Sequence, residues 1–175
     1  MPNYNQSTRQ RIEDIALGMR VETDALDVTA WQTQDRVTRL FTVTGRILIA
    51  QLYGEVTTVL GGAGAPVMKF RCAFTTPVIG AADLSANSGD ISAHPVGGRV
   101  TCAGTTVATA AALTASAGVS YGTVAPIVFG LESGIGWIGI VTSTAAIASG
   151  AIKYFLNYVP LSTGANAVTE VAVVT

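Results

Sequence analysis

The sequence predicts an all-β protein, a β-sandwich of jelly-roll type preceded by an N-terminal arm with a short helix, and three observations lead there. Charged residues make up only 12% of the 175 residues and hydrophobic ones 49%, against roughly 25% charged in ordinary soluble domains, so Thr, Ser, Asn and Gly must keep the surface wet. Apolar runs recur about every 8 to 15 residues with turn residues between them, the spacing of a sandwich or barrel rather than of repeating βαβ units. The charge is also unevenly placed. Thirteen of the twenty-one acids and bases precede residue 56, and only Glu132, Lys153 and Glu170 follow residue 99. The chain therefore divides into an arm, residues 1–35, and a sandwich domain, residues 36–175, long enough to close one core.

In the arm, Ser7-Thr8-Arg9-Gln10 has the form of a capping box. Ile12, Ile15, Ala16 and Met19 then recur at helical spacing, with Gly18 as the stop. A helix this short is marginal alone in water and needs a partner for its apolar stripe. Residues 21–35 show no clear periodicity and read as an extended segment, with Trp31 as an anchor. From Val37 the pattern changes. Val37, Arg39, Phe41 and Val43 alternate with Thr38, Leu40 and Thr42, Thr44-Gly45-Arg46 turns, and Ile47 to Tyr53 is apolar, which predicts a strand, a tight turn and a strand. The Gly61-Gly62-Ala63-Gly64-Ala65-Pro66 run breaks the chain. Further strands are expected at Val67 to Thr75, Gly98 to Ala103, Thr105 to Ala108, Val124 to Phe129, Ile135 to Thr142, Ala151 to Tyr158 and Val168 to Val173. Ala108 to Ala117 is ambiguous, because alanine favours helix whereas threonine and Gly118 favour strand and loop.

Several function classes are disfavoured by inventory. The net charge is −1 and the pI about 5.7, so no basic face is expected to displace counterions from nucleic acid. The opening Met1-Pro2-Asn3-Tyr4-Asn5-Gln6 lacks the apolar run of a signal peptide, which points to synthesis and folding in cytoplasm. The long uncharged stretches Val100 to Leu131 and Ser133 to Ile152 are interrupted by Gly, Ser and Thr, so no membrane span is expected. Cys72 and Cys102 fall in strand-like runs and are too few for a disulfide scaffold; two buried free thiols are expected.

Acid–base catalysis needs titratable groups that converge, and the β region holds one histidine and few carboxylates. His94 lies in Ser92-Ala93-His94-Pro95 and reads as a loop histidine. One His and two distant Cys do not make a zinc site. Asp83 to Asp90 has oxygen ligands but not the spacing of a calcium loop, and its Asp, Asn, Ser and Gly are also turn formers. Gly61-Gly62-Ala63-Gly64 has no Lys-Ser/Thr after it and reads as a turn, not a phosphate cradle. Ser120, Ser133 and Ser143 stand in no nucleophile elbow. The aromatic residues, among them Tyr53, Phe70, Phe74, Tyr121, Phe129, Trp137, Tyr154, Phe155 and Tyr158, are dispersed through strands, as core residues are. No enzyme activity, cofactor or metal is expected.

The run Leu40-Phe41-Thr42-Val43-Thr44-Gly45-Arg46-Ile47-Leu48-Ile49-Ala50-Gln51-Leu52-Tyr53-Gly54-Glu55-Val56-Thr57-Thr58 resembles a segment of structural proteins of tailed bacteriophages. The resemblance implies a virion component with no catalytic residues. The reading that follows is a capsid decoration (cement) protein: a homo-oligomer, a trimer, that bridges major capsid proteins of the virion and is assembled in the host cytoplasm. Arg9, Arg11, Ile12, Ile15, Arg20 and Trp31 of the arm are its expected capsid contacts, and removing residues 1–35 is expected to leave a folded sandwich that no longer binds capsids. The alternative is a tail, collar or fibre component with a host-glycan-binding face. An enzyme such as a glycan hydrolase would have to use Asp83, Asp90, Glu132 or Glu170 as its late carboxylates.

Overall fold

The computed structural model describes residues 18–27, 37–102, 112–114, 127–145 and 147–174. Twelve strands and no helix occur among them: β1 (Met19–Glu22), β2 (Leu26–Asp27), β3 (Val37–Thr44), β4 (Ile47–Gly62), β5 (Val67–Thr76), β6 (Val78–Asp83), β7 (Arg99–Thr101), β8 (Ala112–Thr114), β9 (Ile127–Phe129), β10 (Ile135–Ser143), β11 (Ile147–Pro160) and β12 (Asn166–Val174). They form two sheets. The first runs β1-β11-β4-β7-β8, with β2 also on β11 and β9 also on β4, and the second runs β12-β3-β10-β5-β6. All pairs are antiparallel.

This is a jelly roll, and the pairing shows why. β1 pairs β11, β3 pairs β10, β4 pairs β7 and β5 pairs β6, a nested set like the rungs of one long hairpin. Rolling that hairpin into two layers brings β11 beside β4 and β10 beside β5, which closes the eight-stranded sandwich. β8, β9 and β12 extend this frame. Alternation does the rest: Ile47, Ile49, Leu52 and Val56 of β4 face Met68, Phe70 and Cys72 of β5, Ile138 and Ile140 of β10, and Ile152, Tyr154, Leu156 and Tyr158 of β11 in one buried cluster. The register slips by one residue between Ile49 and Gln51 and again between Val56 and Thr58 against β11, bulges that let the sixteen-residue β4 curve around the core.

Four features differ from the sequence reading or add to it. The strand, tight turn and strand expected around Thr44-Gly45-Arg46 are present, and the turn joins two layers: β3 lies in the second sheet and β4 in the first. The backbone groups of the turn bond elsewhere, Gly45 N–H to Gly134 O at 3.0 Å and Leu161 N–H to Arg46 O at 2.8 Å, so the turn is a corner between layers. Second, the sheet begins before residue 36. Gly18 has φ +70°, and Met19, read as part of a helical stripe, opens a strand that pairs with Tyr158. Residues 19–22 and 26–27, read as part of the arm, are hydrogen-bonded to β11. Third, β4 continues past Tyr53 to Gly62, a reach signalled by Val56 and Leu60, both buried. Fourth, β6 was not anticipated, because Pro77 and Gly80 hid a strand whose residues are almost all exposed. The helix expected from Ser7, and the strand at Thr105 to Ala108, lie outside the described residues.

The segment after β6 covers the rest of the β5 edge without being a strand. Leu84 N–H donates to Phe70 O (2.8 Å), Ser88 N–H to Met68 O (2.7 Å) and Ile91 N–H to Pro66 O (2.9 Å), while the buried hydroxyls of Ser85 and Ser88 accept from the N–H groups of Phe70 (3.1 Å) and Met68 (3.0 Å). Replacing Ser85 by Ala strands a buried N–H, which costs about 1–3 kcal/mol. Thermal denaturation of Ser85→Ala is expected to show a midpoint roughly 2–10 °C lower.

Candidate functional site

The residues singled out for chemistry are kept apart by the fold. Asp83, at the end of β6, is paired with Lys69 Nζ at 2.8 Å and Arg71 Nε at 2.9 Å, so its charge is already met by two cations. Glu170 on β12 accepts from the Thr42 hydroxyl and lies 3.7 Å from Arg39. β12 and β6 are the opposite edges of one five-stranded sheet, roughly 19 Å apart at about 4.8 Å per strand, well beyond the separation of about 5–9.5 Å that glycoside hydrolysis uses. Asp90 caps its own loop, accepting from Ser92 N–H at 2.8 Å and from the Ser92 hydroxyl at 2.9 Å, as the turn reading anticipated. Glu132 is exposed in the turn between β9 and β10. Among the described residues, no three His, Cys, Asp or Glu side chains converge. His94 lies in the loop beside β4, its carbonyl accepting from Leu60 N–H at 3.1 Å and its ring packed against Gly98. Ser120 and Tyr121 lie outside the described residues.

What the fold does build is two unlike outer faces. On the first sheet, a band crosses β1, β11, β4 and β7, because register places Glu22 beside Phe155, Phe155 beside Tyr53, Lys153 beside Glu55 and Glu55 beside Arg99. The Tyr53 and Phe155 rings stack at 4.8 Å. Arg20 lies 4.4 Å above Phe155 and Arg99 5.2 Å from Tyr53. Lys153 Nζ donates to Glu22 at 2.6 Å, Arg99 binds Glu55 at 2.8 Å and Asn157 donates to Gln51 at 2.8 Å. The Lys153 ammonium bonded to Glu22 is the main reason that carboxyl sits below its usual range. The cations and carboxylates of this band thus satisfy one another, and Phe155 is only 6% exposed. Arg20 and Lys153 lie over the Phe155 ring, where a stacking sugar would otherwise sit. Beside the band, Gly18, Met19, Arg20, Ala50, Gln51 and Asn157 line a shallow depression with a single charged side chain.

The outer face of the second sheet differs. Its two rows nearest the β3–β4 corner, Asn166-Thr44-Ile135-Thr76 and Val168-Thr42-Trp137-Ala73, carry no charge. Ile135 and Val168 are exposed, and Val78 on neighbouring β6 is 88% exposed. The next row holds Arg39, Arg71 and Asp83 with Glu170, all in the ion pairs already described, and Arg39 also lies 5.4 Å over the Trp137 ring. This uncharged, partly apolar face was not legible in the sequence, since its members come from five strands.

Of the expected capsid contacts, Arg20 is placed: it sits on β1 opposite Asn157, its guanidinium over Phe155 and 3.3 Å from Glu22, so it belongs to the band on the sandwich and not to a free arm. Arg9, Arg11, Ile12, Ile15 and Trp31 lie outside the described residues. Cys72 and Cys102 are buried free thiols, as read from the sequence. Among the described residues no helix is long and apolar enough to cross a membrane.

The fold and its faces define a class, an all-β jelly-roll sandwich whose described charges are largely neutralised within its own sheets. Comparison with protein-family models, with curated proteins and with solved structures finds no match.

Proposed function

We propose that this chain is a non-enzymatic structural protein of a tailed-phage virion, a decoration protein that stabilises the capsid by fitting against copies of itself, as a homotrimer, and against major capsid proteins. The observation that carries the reading is the contrast between the two faces. A surface meant for solvent is dotted with charge; the half-face around Ile135, Val168 and Val78 has only the Arg39–Glu170 pair at its border, against Trp137 and Thr42, so most of it can be covered without stripping water from an ion. The jelly roll is a fold of capsid and lectin domains among others, which by itself is analogy. The resemblance of residues 40–58 to phage structural proteins adds to it, and that segment forms the corner and the central strand β4. No observation favours the glycan-binding alternative, because the rings of the charged band are covered.

Purified chain mixed with shells of its phage is expected to co-sediment with them, and intact virions are expected to contain hundreds of copies. A dozen or fewer copies per particle places the chain in a tail or collar instead. Substituting Lys for Ile135 and Val168 together should leave the melting midpoint within about 2 °C, since both are exposed. The same variant should abolish self-association in sedimentation velocity. A variant that associates as the unmodified chain does removes this face from the proposal.

A further inference from the structure

We infer that Cys72 and Cys102 are a latent inter-sheet disulfide site, two thiols placed to be joined by a small peroxide into a covalent staple between the layers of the roll. This inference is independent of the phage reading. Cys72 lies on β5 in the second sheet, and Cys102 follows β7 in the first, its N–H bonded to Leu52 O at 2.8 Å. Both side chains belong to the single buried cluster between the sheets.

Packed sheets usually stand about 10 Å apart, too far for a disulfide, whose Cα atoms lie about 4.4–6.8 Å apart. Here the layers pinch together. Cys102 Sγ is 3.6 Å from the carbonyl oxygen of Leu84, and Leu84 belongs to the other layer, its N–H bonded to Phe70 O at 2.8 Å. With about 2.8 Å from Cα to Sγ, the Cα of Cys102 lies within roughly 6.4 Å of that oxygen, so the layers approach here more closely than their usual spacing. The same place is one rung from Cys72, since Ala82, two residues before Leu84, is the cross-strand partner of Cys72. The charge of Cys72 is also among the causes that raise Cys102, as expected of neighbouring side chains. Rotation of Cys102 away from the Leu84 carbonyl is the movement required. β7 and β8 are three-residue strands, so the layer carrying Cys102 has few rungs to break when it opens to a small oxidant.

The chemistry balances with hydrogen peroxide as oxidant. The Cys72 thiolate attacks peroxide, giving a sulfenic acid and hydroxide. The Cys102 thiol then attacks that sulfur, the S–S bond forms, and the sulfenic oxygen leaves as water; two thiols and one peroxide become one disulfide and two waters. Cys72 is the first to react because it is the more exposed, 7% against 1%. Its thiol is raised to about 11 by burial and then by the Asp83 charge, with Arg71 acting the other way. Burial, and then Cys72, push Cys102 to about 12. Thiolate is therefore scarce at neutral pH, and the rate should rise about tenfold per pH unit between pH 7 and 10.

The test treats the folded full-length chain with hydrogen peroxide, quenches it, unfolds it and counts alkylatable thiols with peptide mapping. The expected result is loss of both thiols together, a Cys72–Cys102 cross-link within one chain, and a melting midpoint roughly 5–15 °C higher, as closing a loop of about 30 residues implies. Cys102→Ser should give no cross-link and no rise. Two thiols still alkylatable after treatment at pH 9 overturn the inference, and so does Cys72 oxidised to sulfinic acid with Cys102 free, which shows that the sulfurs do not meet. The unmodified chain alone decides between these results should the variant not fold.

Discussion

A chain lacking residues 1–35 is expected to melt roughly 8–16 °C lower than a chain that begins at Gly18 and so keeps β1 and β2. The difference lies in β1 and β2. Leu26 is buried in the core, worth about 2 kcal/mol. Thr23, 1% exposed, ties the two strands to the middle of β11: its N–H donates to Tyr154 O at 3.0 Å and its hydroxyl accepts from Tyr154 N–H at 3.0 Å. Losing these two hydrogen bonds costs about 2 kcal/mol more. Removing β1 also takes Arg20 and Glu22 from Phe155 and Lys153, uncovering an aromatic side chain on a newly open sheet edge. Under the proposed reading the chain lacking residues 1–35 no longer binds shells, whereas the chain starting at Gly18, which loses Arg9, Arg11, Ile12 and Ile15 but keeps Arg20 and Trp31, binds more weakly, so loss of binding and loss of fold are separated by the two truncations. Denaturation curves for both chains check the first half, and co-sedimentation checks the second. Equal midpoints for the two truncations would show that β1 and β2 add nothing to the sandwich.

The same stretch shows why part of the fold escaped sequence reasoning. β3, β5, β10 and β11 alternate or run apolar over eight residues or more, and their hydrophobic pattern announces them. β1 and β2 are four and two residues long; Met19-Arg20-Val21-Glu22 does alternate, but four residues are too few to tell a strand from the helical spacing that Met19 also fits. They are strands because β11 offers an edge, a tertiary cause. β6 is hidden for the opposite reason: it is apolar but exposed, and Pro77 before it and Gly80 within it imitate a loop. The corner at Gly45 was legible as a turn but not as a change of sheet, because the glycine and its neighbours would look the same in a hairpin; what differs is that Gly134 and Leu161, far along the chain, take its hydrogen bonds. The candidate surfaces were less legible still. That Asp83 is met by Lys69 and Arg71 depends on the β5–β6 register, and the charged band needs four strands aligned before its ladder exists.

Gly130→Ala is expected to cost about 3–5 kcal/mol, the largest effect of any single substitution considered, and it acts at the corner that makes the roll. Gly130 has φ +110°, a conformation that side chains resist, and a Cβ there would land on the carbonyl oxygen of Gly45 and 2.9 Å from Arg46 Cα. Both contacts are to backbone, which cannot swing aside as a side chain can. Gly45 is constrained in turn, with φ +73° and a Cβ position 2.8 Å from Ser162 Oγ and 2.9 Å from Ala165 Cα. The two glycines let the β3–β4 corner lie directly against the segment that follows β9 and the β11–β12 connection, so three sheet-changing or sheet-ending segments share one small space. Gly164→Ala separates strain from crowding: its φ is +76° but nothing lies within 4 Å of the added atom, and about 1 kcal/mol is expected. Gly80→Ala removes both causes, with open space and no positive φ, and stability should hold or rise by about 0.5 kcal/mol. Chemical denaturation of the three variants should therefore rank Gly80→Ala above Gly164→Ala above Gly130→Ala, with the last near the limit of soluble expression. A Gly130→Ala chain as stable as Gly164→Ala would mean that the corner can open to admit a methyl group, and that the close packing of Gly45 on Gly130 is not what holds the two layers in place.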